Sequence, residues 1–142
     1  MVQLEKDPRL GGLPKVLRSF RTGLGNQTDD LVFPIVGAPV SFLDAPVGEV
    51  PLAHVGPLME HHHAFPRRVN FTVANVLGRD RMASRTWERG AGLTLACGTG
   101  ACAIHVAAHL LGLVDDTTQV HMPGGVLSLT WPGSGHVTME GP

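Results

Sequence analysis

Cysteine is scarce in this sequence, with only Cys97 and Cys102 in 142 residues. So few cysteines do not build a disulfide scaffold. The N-terminal stretch from Met1 to Arg21 is charged and has no apolar run of the export type. Together these features lead to an expectation of free thiols in the cytoplasm. Apolar runs approaching the ~20 residues of a membrane span are also missing. Net charge is close to nil, at −1, which removes the electrostatic case for a nucleic acid or an anionic membrane as partner. Charged residues make up only 16% against 43% hydrophobic, a balance that excludes disorder and fits a compact chain. No repeat, low-complexity tract or linker divides the sequence, so residues 1–142 are read as one domain with room for a real core.

Turn formers are plentiful: eighteen glycines and eleven prolines imply many turns and a strand-rich fold. Val2 to Leu4 and Leu31 to Val36 are expected as strands, with a basic, glycine-broken loop from Leu10 to Leu24 between them. Pro34 suits an edge position. Val40 to Leu43 can pair across Gly37-Ala38-Pro39. A short helix is expected over Val55 to His63, with Pro57 in its first turn. Val69, Phe71 and Val73 alternate with Asn70, Thr72 and Ala74, the pattern of a half-buried strand. Gly78-Arg79-Asp80 turns it into a return strand, Arg81 to Trp87. Ala101 to Val114 is small or apolar nearly all round and reads as a buried helix, closed by Gly112 and Asp115-Asp116. The tail forms a meander. Gln119 to Met122 and Val126 to Trp131 make a hairpin about Pro123-Gly124-Gly125, and His136 to Met139 follows. Leu127, Leu129 and Trp131 share one face of it.

Two groups of histidines suggest a metal. His61-His62-His63 are consecutive, so on a helix they point in different directions and do not close on one ion; a solvated helix end is the expected role. His105 and His109 stand at i and i+4, but no third ligand accompanies them. No metal site is assigned.

The chain is organised around Glu88-Arg89-Gly90-Ala91-Gly92-Leu93-Thr94-Leu95-Ala96-Cys97-Gly98-Thr99-Gly100. An adjacent pair of opposite charges ends a strand, two glycines make an entry loop, and Cys97 stands where the buried helix begins. Helix starts present unpaired N–H groups and the positive end of the dipole, both of which favour a thiolate. Such cysteines can have pKa values lowered to roughly 3.5–7.5. Gly98 and Gly100 remove side chains that would keep an anion from those N–H groups. Three other readings stay open from the residues alone. Cys97 can be an inert core thiol. Gly98-Thr99-Gly100-Ala101-Cys102-Ala103 fits a loose G-x-G-x-x-A nucleotide loop, although Asp115 and Asp116 come too early for the acidic partner. The glycines can also be turn residues only.

Three blocks resemble the second half of diaminopimelate epimerases. They are Phe65-Pro66-Arg67-Arg68-Val69-Asn70-Phe71, the stretch from Glu88 to Ala103, and Met122-Pro123-Gly124-Gly125, and their spacing matches as well. The resemblance implies an α+β fold of mostly antiparallel strands wrapped around one central buried helix. It also implies a cofactor-independent amino-acid epimerase in which two cysteines flank the substrate's α-carbon, one removing the proton and the other returning it. Cys97 falls on the second of these. Asn70 and Arg89 would hold the distal end of a dicarboxylate amino acid, Glu88 would contact the reacting amino group, and the Gly98 and Thr99 N–H groups would hold the reacting carboxylate.

The first half's cysteine, in a Cys-Gly-Asn-Gly type loop, is absent. Cys102 cannot replace it: five helical residues place it ~7.5 Å along the axis and ~140° around it. A complementary N-terminal half or a second copy of the chain is therefore the implied partner. Ala38, Val40 and Leu93 also depart from the family, where Asn, His and Glu are usual. The alternative is a truncated, non-catalytic domain that binds a small carboxylate or a partner protein.

Overall fold

The computed structural model describes residues 39–63 and 65–142. The strands expected over Val2 to Leu4 and Leu31 to Val36, the loop between them, and Ala38 lie outside the described residues. The rest folds as α+β. Seven strands form one mixed sheet: β1 (Val40–Phe42), β2 (Phe71–Gly78), β3 (Arg81–Glu88), β4 (Gly92–Thr94), β5 (Thr117–Met122), β6 (Gly125–Thr130) and β7 (Thr138–Glu140). Among the described residues there are two α-helices, α1 (Leu52–Glu60) and α2 (Gly98–Leu110). The sheet order is β1-β2-β3-β5-β6-β7. The β1–β2 and β3–β5 pairings are parallel and the others antiparallel. β3 divides one edge between two partners: Arg81–Ala83 pair with β5, and Thr86–Glu88 pair with β4.

The alternation in β2 has a different outcome from the one expected. Its first five residues, Phe71 to Asn75, are all buried. Polar-looking Thr72 is fully enclosed because each face of the sheet carries a helix. Phe71 and Val73 pack with Leu43, Val50, Leu52, Val55 and Met59 on the α1 side. Ala74 and Met82 pack with Ala101, Ile104, Ala108, Val120 and Leu129 on the α2 side. The single central helix of the expectation is thus joined by a second helix on the opposite face.

α1 starts at Leu52, three residues before the expected start, which places Pro57 inside the helix and not in its first turn. Leu52, Val55, Gly56 and Met59 make its buried stripe at helical spacing. Nine residues are fewer than the ~12–15 a helix needs to stand alone in water, so packing holds this one. His61 accepts the role of C-cap, its backbone N–H and ring Nδ1 both reaching the Pro57 carbonyl at 3.1 and 2.9 Å. His61 and His63 are exposed, but His62 is buried.

α2 spans Gly98–Leu110, earlier at both ends than the apolar run suggests. Its end is a Schellman turn. Leu113 N–H bonds to Ala108 O and Gly112 N–H to His109 O, both at 2.9 Å, with Gly112 at φ +71°. The tail hairpin falls where expected, Met122 opposite Gly125 about Pro123-Gly124.

Candidate functional site

The site assembles where β3 ends and α2 begins. β3 and β4 are joined by a tight turn, with Ala91 N–H bonding to Glu88 O at 3.1 Å. Gly90 sits in it at φ +77°, a conformation that L side chains rarely adopt. This turn lifts Glu88 and Arg89 to the rim. Asn70, just before β2, accepts the Arg89 backbone N–H at 2.8 Å, and Arg89 Nη1 donates to Arg67 O at 3.0 Å. Asn70 and Arg89 are therefore in contact, with Glu88 next to Arg89 in the chain. Glu88 Oε1 accepts the Thr94 hydroxyl at 2.7 Å, a partner which the sequence reading did not include.

Cys97 is the N-cap of α2. Its Sγ accepts the Gly100 N–H at 3.3 Å, the place usually taken by a Ser, Thr, Asp or Asn oxygen. Ala101 N–H closes the first helical bond to Cys97 O at 2.9 Å. Gly100 is required here by close approach. A Cβ at that position would lie 2.7 Å from Thr72 Oγ1 and 2.9 Å from Thr86 Oγ1, two hydroxyls bonded to each other at 2.9 Å. The first turn of α2 thus sits directly on the β2–β3 rung beneath it. A side chain on Gly124 would meet Leu95 O at 3.0 Å, and Gly124 N–H bonds to that same oxygen at 2.7 Å. The Pro-Gly-Gly turn therefore props the segment leading into Cys97.

The thiol's electrostatics overturn the sequence expectation. Cys97 is 6% exposed, and burial raises its pKa above the ordinary thiol value. The Glu88 carboxylate raises it further, by repelling the thiolate and by accepting a hydrogen bond from the thiol. The Gly100 and Thr99 N–H groups act in the opposite direction and are outweighed. The argument from the helix terminus located the sulfur correctly but left out desolvation, which dominates here. Around the thiol, Thr99, Leu95 and Ala96 are exposed and Gly98 half-buried, and Met139 Sδ lies against Gly98. Cys102 faces the α2 side core and burial raises its pKa as well.

Two features were not read from the sequence. Glu60, at the end of α1, is only 3% exposed and bonds to Trp87 and Gly90, on either side of the Glu88–Arg89 pair. His105 is fully buried, its Nδ1 sharing a 2.8 Å hydrogen bond with Thr118 Oγ1, while His109 pairs with Asp116 at 2.9 Å. Among the described residues no three His, Cys, Asp or Glu side chains gather in a group that could hold a metal ion.

The site is thus a strand-end carboxylate beside a helix-capping thiol at a glycine-rich helix start. The diaminopimelate epimerase family model matches residues 36–142, and the chain belongs to that family. Among its relatives, the diaminopimelate epimerase of Synechococcus elongatus is 53% identical over 96 residues, covering 68% of this chain and 34% of that protein. That of Methylorubrum extorquens is 48% identical over 103 residues, covering 72% and 35%. The chain therefore spans about a third of the length of the relatives it matches. A solved phenazine biosynthesis protein of the PhzF family from Bacillus anthracis is similar over 66% of this chain and 30% of that one, with a TM-score of 0.48 and 13% identity.

Proposed function

We propose that this chain is the C-terminal catalytic portion of a cytoplasmic, cofactor-independent amino-acid epimerase that interconverts LL- and meso-diaminopimelate. The observation that carries this reading is Cys97 as the cap of α2, with Glu88 at its side. Cys97 is the acid/base thiol, exchanging one proton with the substrate's α-carbon. A thiol kept protonated is the form that donates, and a substrate ammonium placed beside Glu88 would offset the charge that disfavours the thiolate. Gly98 and Thr99 offer their N–H groups to the reacting carboxylate at the positive end of the helix. Asn70 and Arg89 hold the distal end of the substrate. The second thiol comes from a complementary N-terminal half or a second copy. With that half closed over it, α2 becomes the central helix of the strand-wrapped fold. The apolar side chains near the site that are open to solvent, Leu93 at 46%, Leu95 at 71% and Met139 at 48%, suit such a cover.

The burial and raised pKa of Cys97 favour a second reading, a non-catalytic domain that binds a small carboxylate or a partner protein. Exchange of the α-proton of diaminopimelate in D2O separates the two. Under the first reading the chain supplied with the complementary half washes in deuterium, and Cys97→Ala does not. No incorporation by the paired wild type would leave the second reading.

A further inference from the structure

We infer that Glu60 is the positioning residue for the Glu88–Arg89 turn, holding the Trp87 indole before that pair and the Gly90 backbone after it, from a helix on the opposite face of the sheet. Its two oxygens are divided between two donors. Oε2 takes the Trp87 indole N–H at 2.8 Å, and Oε1 takes the Gly90 backbone N–H at 3.2 Å, with Arg68 Nη1 3.6 Å away. Trp87 immediately precedes Glu88, and Gly90 immediately follows Arg89. Gly56, one helical turn before Glu60, has no side chain because the indole ring lies where its Cβ would be. The indole is thus laid flat on α1 by Gly56 and fixed in rotation by Glu60. The Trp87 hydrogen bond holds the Glu60 carboxyl below the usual range against the opposing effect of burial, with smaller help from Gly90, His61 and Arg68. It therefore stays an acceptor for both N–H groups at neutral pH.

This inference rests on the reading above, that Glu88 and Arg89 serve the site, but its test needs no substrate. Alkylation of the full chain by iodoacetamide across pH, read by peptide mass spectrometry, follows Cys97 and Cys102 separately. In Glu60→Ala the freed turn carries the Glu88 carboxylate away from the sulfur. The expected result is a Cys97 profile displaced to lower pH and a severalfold faster reaction at pH 8, with Cys102 unchanged. In a Glu88→Gln background the same substitution should add little, since the charge it acts through is already gone. A Cys97 profile that does not move, or one that moves together with that of Cys102, would overturn the assignment. Failure of deuterium exchange would leave these outcomes untouched, so the two ideas fail separately.

Discussion

The two faces of the sheet are built to different rules. On the α1 face the contacts are bulky and interlocked: Phe71, Leu52, Met59 and the Trp87 ring pressed on Gly56. On the α2 face, near the site, the contacts are small: Gly100 on a Thr72–Thr86 hydroxyl pair, then Ala101, Ala74 and Ala108. Large side chains anchor one layer, and small ones let a helix start come down onto the other. Residues of alternate parity in β3 serve the two layers, so Trp87 faces the anchor and Glu88 faces the thiol. The lesson is that site geometry on one face is set by packing on the other.

The sharpest way to break this comparison is Gly56→Ala. The new methyl would run into Trp87 Cγ and Cδ2, and overpacking of this kind typically costs about 1–3 kcal/mol. We expect the largest loss of denaturant stability here, accompanied by faster Cys97 alkylation, since the displaced indole drags Glu88 with it. Gly100→Ala strikes the thinner layer. Its methyl meets two hydroxyl oxygens at 2.7 and 2.9 Å, and a loss of about 1 kcal/mol is expected in the same urea titration. Should Gly100→Ala prove the costlier, the division into anchor and platform is wrong.

Glu88→Gln should leave the melting temperature nearly unchanged and move the Cys97 alkylation profile to lower pH, because the carboxylate raises the thiol's pKa. A profile unchanged by this substitution would leave burial as the whole cause. His105 gives a smaller effect under the α2 face. Burial lowers its pKa in the folded chain, so the unfolded chain binds the proton more readily. Its contribution to stability is complete above the unfolded value of about 6.5 and declines as pH falls below it. Melting temperatures from pH 7.5 to 5 should therefore fall more steeply for wild type than for His105→Asn. The least effect is expected of Met139→Ala, a modest rise in Cys97 alkylation as the thioether leaves Gly98.

Much of this was legible in the sequence, for identifiable reasons. The two hairpins could be read because Gly78-Arg79-Asp80 and Pro123-Gly124-Gly125 are local turn signals. The grouping of Asn70, Glu88 and Arg89 came with the family resemblance. Helix starts were harder to place. Cys97-Gly98-Thr99-Gly100 has poor helix propensity, and Gly100 answers to a rung of threonines 14 and 28 positions away in the chain. Nothing local marks Glu60, because its partners Trp87 and Gly90 are joined to it only by the fold. The burial of Cys97 was hidden for the same reason: local geometry speaks for a thiolate, and only tertiary enclosure speaks against it.

The parallel run of β1 beside β2 has a consequence for how the molecule is assembled. Thr72 N–H bonds to Pro39 O at 3.1 Å, and Val40 lies opposite Thr72, so the polypeptide joins the sheet at the end where Asn70 and Glu88 stand. A fusion or insertion just before Pro39 should therefore disturb the Asn70–Glu88 neighbourhood, read as a change in Cys97 alkylation, before it disturbs melting.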